Sequence, residues 1–256
     1  MSGIGLVVAL PRELPAGFVR IRDRQSMEPQ AFAVYRSAPM VGRHVAVRAG
    51  VGSTRAADAA RLLIRRFSPQ ALVSFGFAGG LTADLDRGAL VIGTAVVSED
   101  SSRKLATANR DLVEQFLAAA AAAALPVRQG MLVTTRHIVA DPASKTDLSL
   151  RSGACAVDME TAGIVEVADE AGLPWVAIRA IVDRAEESLP VACLTMLRED
   201  GSIAPGRVIQ MICRSPELLW HLPRLAWRMA TARRHLSQAF ARWTKSLTVQ
   251  SDQAPG

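Results

Sequence analysis

Residues 156–172, AVDMETAGIVEVADEAG, followed by PWVAIRAIVD at 174–183, decide how the rest of the chain is read. The pattern predicts a helix from Asp158 to Ala171, with Glu160 at its opening, closed by Gly172 and with Pro174 just beyond. An apolar β run follows and ends on a second carboxylate, Asp183. Outward from this unit the same alternation repeats. IGLVVAL (4–10) and VAVRA (45–49) read as buried strands. AGVGS (49–53) leads into a helix from Thr54 to Phe67 with Ser53 or Thr54 as N-cap, ended by Pro69. ALVSFGFAGGL (71–81) is strand then glycine turn, ALVIGTAVVS (89–98) a strand, Asn109–Ala124 a helix and MLVTT (131–135) a strand. Strands alternating with helices predict an α/β fold with a largely parallel sheet covered on both faces, its ligands at the carboxyl ends of the strands.

The chain has 256 residues, half of them apolar and 21 % charged, enough to bury a substantial core and too apolar for intrinsic disorder. Its longest apolar run, Phe116 to Leu125, is too short to span a bilayer. The N-terminus lacks a basic start and a long apolar stretch and reads as a strand rather than a signal peptide. Cys155, Cys193 and Cys213 show no CxxC spacing, which fits reduced thiols in a cytoplasmic protein and no metal site. The net charge of +6 is uneven: eight basic residues face one acid between Gly206 and Leu247, so the rest of the chain sums to about −1.

Glu160 at a helix start and Asp183 at the end of a buried strand form a possible acid/base pair. The helix terminus favours the first carboxylate ionised, and burial favours the second protonated. A first-turn helix acid and a strand-end turn residue explain the same letters equally well. AGVGS and SFGFAGGL bring backbone amides within reach of a ligand, but neither is a GxGxxG or a P-loop. Glu13, alone, reads as a surface loop acid.

Together, IGLVVALPREL, AGVGS, SFGFAGGL, AVDMETAGIVEVADEAG and VAIRAIVD resemble, in order and spacing, the purine nucleoside phosphorylase and methylthioadenosine/adenosylhomocysteine nucleosidase superfamily over roughly residues 3–190. With DGSIAPG and SPELLWHLPRLAWR, the whole chain is most similar to the hopanoid-associated phosphorylase branch. The resemblance implies a three-layer α/β/α fold around a mixed, largely parallel twisted sheet. It also implies cleavage of the N-glycosidic bond of a 5′-substituted adenosine, adenosylhopane first and methylthioadenosine or adenosylhomocysteine as the alternative. It implies no cofactor, inorganic phosphate as a conceivable co-substrate, and a homo-oligomer. Residue by residue, Asp183 matches the proton donor to N7, and Glu160 and Met159 the residues against the ribose. Glu13 matches the base that activates water. Gly76, Phe77, Ala78 and Gly79 match the turn beside base and sugar, and Ile138, with His137 next to it, the purine pocket. Two departures stand out: Phe77 replaces a small or polar residue of hydrolytic members, and Ser74 replaces an arginine of phosphorolytic hexamers. Phosphate would then fall to Gly50, Gly52, Ser53 and an arginine: Arg55, Arg48 or one from RIRDR (20–24).

The expected partition is a catalytic domain over 1–197, a basic amphipathic helical extension over 198–247 and a disordered tail over 248–256. In the extension Leu225, Met229, Ala232, Leu236, Phe240 and Trp243 form one apolar stripe flanked by arginines. Such a helix suits either an anionic membrane surface or packing on the body; no nucleic-acid motif accompanies it.

Overall fold

Two long apolar strands, VSF-rich Leu72–Gly80 and WVAIRAIVD at Trp175–Asp183, lie side by side and parallel, and the remaining elements are arranged around them. The computed structural model describes residues 3–21, 32–39, 42–99, 104–189 and 222–252. The strands are β1 (Gly5–Val8), β2 (Phe18–Arg20), β3 (Ala33–Ser37), β4 (Val45–Arg48), β5 (Leu72–Gly80), β6 (Leu90–Ser98), β7 (Lys104–Thr107), β8 (Val127–Thr134), β9 (Ala156–Asp158) and β10 (Trp175–Asp183). The helices are α1 (Ser53–Phe67), α2 (Arg110–Ala122), α3 (Pro142–Ser152), α4 (Thr161–Glu170) and α5 (Leu222–Asp252), with a 3₁₀ turn at Pro11–Glu13.

The sheet is mixed. β1 runs parallel to β4 and β5, and β5 parallel to β10, as strand–helix alternation predicts. β10 then pairs antiparallel with β6, β6 parallel with β8, β8 parallel with β9, and β9 antiparallel with the end of β5. These five pairings close a ring at the carboxyl ends of β5 and β10. Gly79 of β5 sits opposite both Asp183 and Val157, so the end of β10 and the residues after β9 are forced to one place. β2, β3 and β7 add antiparallel edges that the sequence reading passed over.

Local chemistry sets the helix ends. Asn109 caps α2 by accepting the Leu112 N–H at 3.0 Å. Asp141 caps α3 by accepting the Ser144 N–H at 2.9 Å, Pro142 is the first residue of α3, and left-handed Gly153 closes it. α4 begins at Thr161, so Asp158, Met159 and Glu160 belong to the strand end and turn ahead of it rather than to the helix. β8 starts at Val127, four residues before the MLVTT segment.

Of the two readings left open for α5, membrane surface or packing on the body, the second describes most of its apolar stripe. Ala232, Leu236, Phe240 and Trp243 of the apolar stripe are fully buried against the body. Trp243 stacks on Phe116 with ring centres 4.7 Å apart and donates to Gln115 Oε1 at 3.1 Å, while Phe240 meets Phe18, His44 and Phe75. This part of the stripe completes a core and has no apolar surface left for a membrane. The helix continues to Asp252, into the stretch read as a disordered tail. Residues 190–221, including Trp220, Arg207 and Arg214, and residues 22–24 of RIRDR lie outside the described residues.

Candidate active site

At the ring closure an open cleft of about 170 Å³ is lined by Leu10, Glu13, Val51, Phe77, Ala78, Gly79, Thr135, Ile138, Asp158, Met159, Glu160 and Asp183, among others. Each acid is delivered by a different element: Glu13 by the 3₁₀ turn after β1, Glu160 by the turn between β9 and α4, Asp183 by the last residue of β10. All three are buried, at 3 %, 8 % and 1 % exposure. The loop acid and the turn acid of the plain sequence reading are therefore interior groups.

Buried carboxyls need partners. Glu13 takes three backbone donors: Ala9 and Leu10 N–H to Oε2 at 2.7 Å each, and Phe77 N–H to Oε1 at 2.9 Å. Burial still raises its pKa, against the pull of the Arg179 guanidinium. Glu160 Oε1 accepts the Gly52 N–H at 3.1 Å. Desolvation and the neighbouring Asp158 push its carboxyl from 4.5 up to about 8. Asp183 is raised by burial, opposed by the ammonium of Lys145, which is bonded to its Oδ2.

Arg179 and Asp158, neither singled out from the sequence, organise the floor. Arg179 Nη2 lies 2.7 Å from Asp158 Oδ2 and donates to Ser74 Oγ and Thr161 Oγ1 at 2.7 Å each. Asp158 also accepts from Thr134 Oγ1 at 2.7 Å and from the Thr161 hydroxyl. Ser74, read as a departure that removes an arginine, is thus the seat of one arriving from the adjacent strand. A side chain at Gly76 would collide with Arg179 and come within 2.7 Å of Glu13 Oε1, so only glycine lets these two groups close over the strand. An arginine inside an otherwise apolar strand was the available signal for Arg179; VDME, with its acid two residues before Glu160, was the signal for Asp158. Lys145, in the polar segment PASKTD, carried none.

Of the remaining residues picked from sequence, Met159, Phe77, Ala78, Gly79 and Ile138 line the cleft. His137 does not: its side chain is exposed. Gly76 lies behind the cleft, against Arg179 and Glu13. The residues expected to hold phosphate lie beside the cleft rather than in its lining. Val51 of the AGVGS loop reaches the cleft, but Gly50, Gly52, Ser53 and Arg55 are not among its lining residues. The Gly52 N–H is held by Glu160, and Arg55 donates to Ala49 O at 2.8 Å and lies over the Phe32 ring. Among the described residues no group of three or more His, Cys, Asp or Glu could hold a metal ion.

The family model described as the phosphorylase superfamily matches residues 4–202, which spans every element that lines the cleft. The chain belongs to the phosphorylase superfamily. It is an enzyme that cleaves the N-glycosidic bond of a nucleoside. The chain is 29 % identical over 205 residues to the 5′-methylthioadenosine/S-adenosylhomocysteine nucleosidase of Shewanella pealeana, covering 73 % of this chain and 89 % of that one. Among solved structures it resembles the corresponding nucleosidase of Colwellia psychrerythraea in complex with adenine, with a TM-score of 0.73, 18 % identity and 96 % of each chain covered. It also resembles futalosine hydrolase of Helicobacter pylori, with a TM-score of 0.65, 15 % identity, and 99 % and 98 % of the two chains covered. Both establish the superfamily fold, including the mixed sheet.

Proposed function

We propose that the protein hydrolyses a 5′-substituted adenosine, releasing adenine and a 5′-substituted ribose, and that the 5′-substituent is a large apolar group of the adenosylhopane type. The observation that carries this reading is the meeting of Glu13, Glu160 and Asp183 in one cleft whose walls, apart from Thr135 and Asp158, are apolar. When the C1′–N9 bond breaks, its electron pair moves into the purine and the ribosyl ring gains positive charge. Asp183, buried and shifted toward its protonated form, gives a proton to N7 so that neutral adenine departs. Glu13, Asp158 and Glu160 surround one arginine, so the cluster lacks positive charge; a developing ribosyl cation supplies it. Glu160 and Met159 take the ribose side. A water molecule adds its oxygen to C1′ and gives its proton to Glu13.

Water is favoured over phosphate as acceptor because the Gly52 N–H of the glycine loop already serves Glu160 and Arg55 is engaged elsewhere. The apolar wall formed by Leu10, Phe77, Ile138, Val139, Val182 and Leu189 favours an apolar 5′-group, and Ile138 remains 39 % exposed at its edge. No described helix is long and apolar enough to cross a membrane. Contact with a bilayer-held substrate would therefore be peripheral, through exposed Trp227 and the exposed Arg233 and Arg234 of α5 rather than its buried stripe. The resemblance adds a homo-oligomer. The second reading is a methylthioadenosine/adenosylhomocysteine nucleosidase, favoured by the names of the curated relatives. Adenine release from adenosylhopane, methylthioadenosine and adenosylhomocysteine, with mass analysis of the sugar product in phosphate buffer, tests both substituent and acceptor. Preference for the small thioethers would overturn the apolar-substituent reading, and a ribosyl phosphate would overturn water.

A further inference from the structure

Lys145 is entirely buried, although lysine pays a heavy desolvation penalty in such a place. It comes from α3, whose sequence drew no attention, and its ammonium has three acceptors. They are Asp183 Oδ2, Arg184 O at 2.7 Å and Glu187 O at 2.8 Å. The two carbonyls belong to the loop after β10, and that loop is itself latched: Glu187 receives Arg87 and the Arg184 N–H, and lies 3.5 Å from Arg228 Nη1 of α5. The lysine therefore sits in a rigid socket and presents a fixed positive charge to one oxygen of the carboxyl, leaving Oδ1 unengaged by it.

We propose that Lys145 is a positioning residue for the acid arm of the reaction: it orients the Asp183 carboxyl and stabilises the carboxylate that forms as the proton leaves. This rests on the reading of Asp183 as proton donor. In the step, the Asp183 proton bonds to N7 while the C1′–N9 pair enters the purine. Asp183 becomes an anion beside an ammonium that keeps its own proton throughout. Negative charge thus develops where a preorganised cation already stands, which lowers the transition state more than the ground state. A carboxyl buried without such a partner would hold its proton too tightly to be an effective donor. Among the described residues, the other charged groups near Asp183 are Arg228 of α5, Arg184 and Glu187 of its own loop, Arg87 ahead of β6, and Asp158, Glu160 and Glu13 lining the same cleft. Lys145 is the one bonded to Asp183 directly.

The test uses Lys145→Met and Lys145→Gln, alone and with Asp183→Asn, checking folding by thermal unfolding and adenine binding. Lys145→Met is expected to lower kcat by about 10- to 100-fold with KM little changed, and to move the alkaline fall of kcat/KM to higher pH. With Asp183→Asn already present it should cost little more. Arg228→Gln, which removes a second, less buried cation near Asp183 without touching the pair, should shift the same limb the same way by less. An unmoved alkaline limb, or an equal loss in both backgrounds, would reduce Lys145 to a loop anchor and overturn the proposal. If wild-type protein released no adenine, or Asp183→Asn kept full rate, the reading of Asp183 would fail instead.

Discussion

The three cleft acids differ in what surrounds them, and each difference is measurable. Asp183→Asn keeps size and shape but removes the proton, so turnover should fall about 10²–10⁴-fold while adenine binding persists; a steady-state assay beside a binding titration checks this. For Glu160 the shift concerns stability. Its pKa rises from 4.5 in the unfolded chain to about 8 in the fold, so the folded state holds the proton more tightly. That contribution is fully present below pH 4.5 and is lost as pH climbs to about 8. Glu160→Gln should therefore flatten the decline in denaturant-unfolding stability across this window, leaving a residual slope from Glu13 and Asp183, whose shifts have the same sign. At this scale the sequence was half legible. Glu160 and Asp183 stood out because acids bracket a helix and an apolar strand. Glu13, taken alone, looked like a loop residue because its burial, its Phe77 donor and its neighbour Arg179 come from distant segments, although Ala9 and Leu10, its other two donors, are close in the chain.

Among the elements, strands and helices with a clear apolar period were readable, and those whose placement depends on a partner were not. α3 is polar along most of its length; its Asp141–Pro142 start and Gly153 stop were the local cues, and its purpose shows only when Lys145 is seen bonded to Asp183. α5 had a clear apolar period, yet period alone cannot say what covers an apolar stripe. The aromatic layer of Phe116, Phe75, Phe18 and His44 decides it. Trp243→Ala should cost about 3–5 kcal/mol in chemical denaturation, since it removes a stacked, hydrogen-bonded ring at 1 % exposure. Deleting α5 to probe membrane contact would uncover this core, so point changes at Trp227 with anionic liposomes are the cleaner measurement.

For the molecule as a whole, a cleft with buried, partly uncompensated acids is stabilised by whatever satisfies them. Adenine at 100 times its dissociation constant should add about 2.7 kcal/mol, a rise in Tm of about 5–10 °C for a chain of this size, read by differential scanning fluorimetry. The sequence by itself determined the α/β class, because apolar periodicity is a property of neighbours along the chain, and the order and spacing of its motifs carried the resemblance that pointed to the superfamily and to the three acids. Only the tertiary structure decided the rest: the ring that closes the sheet, the Arg179–Asp158 floor, the Lys145 socket and the buried face of α5. Each of these joins residues tens of positions apart, and desolvation and charge pairing act through space, where chain order carries no record of them.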